Sequence, residues 1–146
     1  MIKKIEERAG RANEATPVNK ATPMKEEGIV ARGAPQAVPD VAAPGYTIKW
    51  LFSGRTTPGA AQTLGYVVIA PGQKNPLHAH PNCEEVLYLI SGELEHSLDG
   101  ATYHLRPGDA IRVPAGARHD ARCVSAHPAT MVVCYSVPNR EIVSYE

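Results

Sequence analysis

The chain has 146 residues, 43% of them apolar, and its 15 Lys plus Arg balance its 15 Asp plus Glu to a formal charge of zero. That is room for one domain around one core. The absence of a basic excess argues against nucleic acid and anionic membrane as partners, and no apolar run approaches the ~18 residues of a membrane span.

The opening MIKKIEERAG has no apolar stretch behind its lysines. No secretory leader is expected, and the expected compartment is the cytoplasm. Cys83, Cys123 and Cys134 lack CxxC spacing, which fits reduced thiols better than a disulfide framework. Residues 1–27 alternate in charge, and Pro17 and Pro23 interrupt any helix. They read as a flexible or extended tail, with one domain over 28–146. Pro35, Pro39 and Pro44 make an extended connector. A strand near residues 28–32 is expected to cross to a second copy.

From Tyr46 onward, short strands alternate with turn signals. YTIKWLF (46–52) ends at Ser53-Gly54, and TLGYVVIA (63–70) at Pro71-Gly72. EVLYLI (85–90) stops at Ser91-Gly92. ELEHSL (93–98) and ATYHL (101–105) flank Asp99-Gly100, a two-residue hairpin signal. DAIRVP (109–114), RHDARCV (118–124), TMVVCYSV (130–137) and EIVSYE (141–146) complete the series. Strands at this spacing, without a long helical period, predict an all-β sandwich or barrel.

The chemistry concentrates in two places. His78 and His80 are two apart, so on a strand both imidazoles point to one side and can converge on one ion. After the turn at Pro81-Asn82, the acidic pair Glu84-Glu85 opens the next strand. One of these carboxylates can close on the same ion, since strand neighbours face opposite ways. His119 starts a later strand behind a Pro/Gly turn and is a fourth candidate. Three imidazoles and a carboxylate suit one divalent Fe, Mn, Ni, Co or Zn ion per chain. Four protein ligands to a six-coordinate ion leave two positions for other ligands.

These segments resemble the two signature motifs of the cupin superfamily. The first, G(x)5HxH(x)3–4E(x)6G, is met by Gly72, His78, His80, Glu85 and Gly92. The second, G(x)5PxG(x)2H(x)3N, is met by Gly108, Pro114, Gly116 and His119, with Cys123 in place of the Asn. The resemblance covers about residues 28–146. It implies a cupin β-barrel (jelly roll, or double-stranded β-helix) with His78, His80, Glu85 and His119 as metal ligands. The glycine frame selects Glu85 over Glu84, which is left solvated or hydrogen-bonded. Leu87 and Leu89 then share the metal side, while Val86, Tyr88 and Ile90 face outward.

Cys123 shares the inward face of His119 but lies ~13 Å along the strand at ~3.3 Å per residue, too far to ligate the same ion. It reads as a small buried hydrophobe, and Cys134 as core. Cys83 lies near the candidate ligands in the loop before Glu85. His96 shares a face with Leu94 and Leu98, so it is a pocket acid–base candidate if that face lines the barrel. His104 and His127 read as surface residues. Arg55, Lys49, Arg112, Tyr66 and Tyr103 are candidate ligand anchors.

The family resemblance implies a metal-dependent enzyme acting on a small hydroxy, keto or carboxylate compound. Dioxygenation leads over isomerase, decarboxylase or lyase chemistry, and Glu85 is the candidate proton acceptor. The alternative is a non-catalytic binding or sensing module. The outward stripe on the third of these strands predicts a homodimer.

Overall fold

The computed structural model describes residues 28–146; the tail expected over 1–27 lies outside them. Eleven strands follow in chain order among the described residues: β1 (Val41–Ala43), β2 (Tyr46–Phe52), β3 (Thr63–Ile69), β4 (His78–Ala79), β5 (Glu85–Ser91), β6 (Leu94–Leu98), β7 (Ala101–Leu105), β8 (Ala110–Val113), β9 (His119–Cys123), β10 (Ala129–Tyr135) and β11 (Val143–Ser144). A 3-10 turn, Ala34–Gln36, sits in the proline-rich connector. No helix among the described residues is long and apolar enough to cross a membrane.

The strands form two antiparallel sheets, one in the order β1-β2-β3-β10-β5-β8 and the other β11-β4-β9-β6-β7. This is the expected all-β jelly-roll barrel. Alternation sets the inner face. In β5, Glu85, Leu87 and Leu89 are buried while Val86, Tyr88 and Ile90 are exposed. In β10, Met131, Val133 and Tyr135 turn inward. Ile69, Leu89, Leu94 and Met131 are fully enclosed between the sheets, and each contributes roughly 1.5–3 kcal/mol of transfer free energy.

Two turns hold this frame. Asp99 and Gly100 both have positive φ, 46° and 87°, as a type I′ hairpin turn requires between β6 and β7. Gly92 has φ 78°, and a Cβ there would stand 2.6 Å from Ala129 Cα. No side chain fits where β5 passes into β6.

Three local expectations change. Residues 28–32 are turn and irregular backbone, and the first strand is Val41–Ala43. Strand 141–146 contracts to Val143–Ser144, paired with β4. Cys134 is half-buried on the outer face of β10, its Sγ 3.9 Å from Gln62 Oε1, because Tyr135 takes the inward position beside it. Cys123 is fully buried, as expected, with Sγ 3.4 Å from the His127 carbonyl oxygen.

Candidate metal centre

The chain brings His78, His80, Glu85 and His119 together at the inner surface where the two sheets face. His78 sits opposite His119 in the β4–β9 ladder. His80 follows β4, and its carbonyl accepts the Gly116 N–H at 2.8 Å. The glycine of the second motif thereby holds the second histidine of the first. Glu85 belongs to the other sheet, where it opens β5 opposite Tyr135 and Val113. All four residues are buried, and their potential donor atoms lie within 4.8 Å of one another. Glu84 points away, its Oε2 accepting from Arg112 Nε at 2.6 Å near the surface.

Hydrogen bonds set the ring tautomers. His78 Nδ1 donates to the Pro76 carbonyl at 2.7 Å, His80 Nδ1 to that of Glu141 at 2.7 Å, and His119 Nδ1 to that of Ala117 at 3.0 Å. With Nδ1–H donated in each ring, Nε2 is the atom left to meet an ion. Glu85 Oε2 stands 3.2 Å from His80 Nε2 and 3.1 Å from His119 Nε2. The His80 contact is short, yet it lacks hydrogen-bond geometry, and that Nε2 is a buried atom without a partner. Lone pairs converging on a carboxylate repel unless a proton or a cation lies between them.

The titration behaviour agrees with that need. Burial, then the charge of His119, lowers His78 to about 4. Burial opposes the charge on Glu85, but the His119 hydrogen bond and the His80 imidazole beside it outweigh burial and hold its carboxyl well below the usual range. Burial also opposes protonation of His119, and its hydrogen bond to Glu85 overcomes that and raises it. The proton that His119 Nε2 shares with Glu85 occupies the place a cation would take. The donor set, the orphaned His80 Nε2 and the common tautomer therefore fit one divalent ion.

His78, Glu85 and His119 line a cavity of about 280 Å³. Its walls include Val67, Ile69, Leu87, Met131 and Val133. Leu87 is where the strand parity puts it, while Leu89 lies deeper in the core and does not reach the cavity. His96 does reach it. Its ring stacks 5.8 Å from that of His119 at an interplanar angle of 8°, and its buried Nδ1 has no partner. Burial, then the charge of His119, lowers His96 to about 4, so it stands neutral near pH 7.

The anticipated anchors lie elsewhere. Arg112 pairs with Glu84, Lys49 with Asp40 at 3.2 Å, and Tyr103 is exposed. Tyr66 is absent from the cavity wall, and Arg55 lines a separate outer cavity. His104 and His127 are exposed, as expected, and Cys83 is buried in the core. Tyr135 and Arg140 are among the cavity residues that were not anticipated. The Tyr135 ring meets His80 at 4.8 Å. Burial, then the Glu85 charge, raises its phenol well above the ordinary value, so it keeps its proton. Inward alternation with Met131 and Val133 could have located Tyr135; no sequence pattern points to Arg140.

The family model described as Cupin domain matches residues 65–135. The chain is 33% identical over 88 residues to the polyketide synthase CurC of Streptomyces cyaneus, a match covering 60% of this chain and 57% of that protein. It is 30% identical over 109 residues to the tetracenomycin polyketide synthase protein TcmJ of Streptomyces glaucescens, covering 73% of each. Among solved structures, an oxalate oxidase in complex with the substrate analogue glycolate superposes with TM-score 0.71 at 25% identity, over 94% of this chain and 76% of that one. The match thus spans little more than half the length of CurC.

Proposed function

The chain belongs to the cupin superfamily, and from that premise we propose that it is a metal-dependent enzyme acting on a small oxygenated molecule. The observation that carries this is the buried tetrad, with its Nδ1 atoms tied to carbonyls, opening on an apolar cavity. His78, His80, Glu85 and His119 would hold the ion, which supplies Lewis acidity and, as iron or manganese, redox chemistry. The apolar walls exclude water and strengthen the pull on a bound oxygen atom. Glu85 is the sole carboxylate among the lining residues and is the proposed catalytic group, at hand to take a substrate proton. The protonated Tyr135 can donate a hydrogen bond into the site.

Dioxygenation is the leading chemistry, because four protein ligands leave room for a chelating compound and O2 together. The structural likeness to an oxalate oxidase is in line with chemistry that consumes O2, whether or not oxygen enters the product. One observation favours an oxygen-independent second reading. His96, neutral and with an unpartnered Nδ1, is equipped to move a proton, as isomerase or lyase chemistry requires. The deciding experiment is turnover of a panel of chelating hydroxy and keto acids by the Fe(II)-loaded protein while O2 uptake is followed. Activity that persists unchanged under nitrogen replaces the oxygenase reading with the second. Tight binding without turnover by any metal form would make the chain a sensing module.

A homodimer is part of this proposal. Val86, Tyr88 and Ile90 form an apolar outward stripe, each over 40% exposed, and such patches are commonly covered by a partner. Light scattering at micromolar concentration should show a dimer, retained after deletion of residues 1–26; a monomer would contradict it.

A further inference from the structure

Arg140 follows β10 on the loop beyond Pro138-Asn139, and its guanidinium carbon lies 4.6 Å from the Trp50 ring centroid and 5.0 Å from that of Tyr135. Trp50 and Tyr135 themselves meet edge-on at 6.3 Å. Two aromatic faces therefore hold the guanidinium in place through its π surface. This leaves its N–H fork free, since stacking uses none of its donors. Among the described residues, no carboxylate comes within ion-pair distance of Arg140, whereas the half-buried lysines Lys49 and Lys74 are both paired.

Its position gives that fork a purpose. Arg140 lines the metal-site cavity and also an outer cavity of about 400 Å³ bearing Ser53, Arg55 and Thr56. It stands at the boundary between the two. Tyr135 touches both the Arg140 guanidinium and the His80 ring, so the arginine is two ring contacts from the tetrad. With a divalent ion on three neutral imidazoles and Glu85, and with Arg140 beside them, the site carries an excess of about two positive charges. The walls are apolar, so water screens that excess poorly. The inner cavity, at about 280 Å³, is just below the ~300–1,000 Å³ of drug-sized ligand pockets. Short acids fit such a space.

We propose that Arg140 is a specificity-determining residue that anchors the distal carboxylate of a small dianionic substrate whose other end, a keto or hydroxy acid, chelates the metal. This rests on the metal-dependent reading above and narrows it to a substrate class. A ligand with two negative charges balances the site. The planar fork accepts a carboxylate through two parallel N–H···O bonds, and the Trp50–Tyr135 clamp has already ordered it.

The test uses the full chain loaded with Co(II) and a matched pair of probes, 2-oxoglutarate and 2-oxopentanoate. The two share a five-carbon keto-acid skeleton and differ in the distal carboxylate. Binding is read from the visible absorption of Co(II), without turnover. Wild type should prefer 2-oxoglutarate by roughly 10- to 100-fold, the range of a charge-assisted hydrogen-bonded pair. Arg140→Gln should bring the ratio to within about twofold while leaving 2-oxopentanoate binding unchanged, and Arg140→Lys should keep part of the preference. An unchanged ratio in Arg140→Gln overturns the inference, as does equal loss of both probes, which would mark a merely structural role. Wild type that loads Co(II) yet shows no preference overturns this inference and leaves the metal reading standing. Wild type that takes up no Co(II), seen before any probe is added, ends both.

Discussion

Replacing Glu85 by Gln should weaken metal binding by at least about 100-fold, while the same change at its neighbour Glu84 should leave it within about threefold. The Glu85 side chain is 5% exposed, and its Oε2 lies 3.2 and 3.1 Å from the Nε2 atoms of His80 and His119. Removing one partner from a buried charge constellation costs about 3–5 kcal/mol. At ~1.4 kcal/mol per decade this is roughly two to three and a half decades of affinity. Gln keeps the shape and one amide oxygen, which places it toward the lower end. Glu84 is 36% exposed and pairs with Arg112, which is 67% exposed. Such a surface pair is worth ~0–1 kcal/mol and does not reach the site. The assay is competition for Co(II) or Zn(II) against a chromophoric chelator at pH 7. Glu85→Gln binding within about threefold of wild type, or Glu84→Gln proving the weaker binder, would refute the reasoning and the glycine frame behind it.

Replacing His78 and His80 together by Ala should abolish metal loading, as elemental analysis of the reconstituted protein will show; retained stoichiometric metal would contradict the tetrad. The metal-free protein should lose stability as pH falls from about 6.5 toward 4. His78 and His96 are each lowered to about 4, so across that window the unfolded chain binds protons that the folded chain does not. His119 is raised; its contribution is present at low pH and lost as pH rises through its folded value, so it opposes the trend, while the lowered carboxyl of Glu85 adds to it at the acid end. Melting temperatures of the metal-free protein between pH 7 and 4.5 will test the sign, and a rise on acidification would refute it. Gly92→Ala should destabilise by about 2–4 kcal/mol, combining the left-handed backbone cost with overpacking against Ala129; an unchanged denaturation midpoint would show that the β5–β6 turn can adjust.

The residues that lie close in the chain were the legible ones. Period-two alternation marks a strand wherever one face is apolar and the other polar, so β5 could be read with its sidedness. Asp99-Gly100 announced its turn because few other residues tolerate positive φ at both positions. The spacing within His78–Glu85 and Gly108–His119 carried the four candidate ligands. Cys134 was misplaced because both faces of β10 are apolar, and alternation alone cannot then say which face is inside.

The amino-acid order by itself determined the all-β class and the turn positions, because strand parity and turn chemistry are set by neighbours a few residues apart, and its likeness to the cupin motifs picked out the four candidate ligands. Only the tertiary structure decided that Glu85 crosses from one sheet to meet histidines anchored on the other. It also decided that His80 leans on the carbonyl of Glu141, that His96 turns into the cavity, and that Arg140 is clamped by Trp50 and Tyr135. Those contacts join segments tens of residues apart, and a loop side chain such as Arg140 takes its direction from the surfaces it packs on. No local periodicity encodes that direction; sheet pairing and closure of the barrel do.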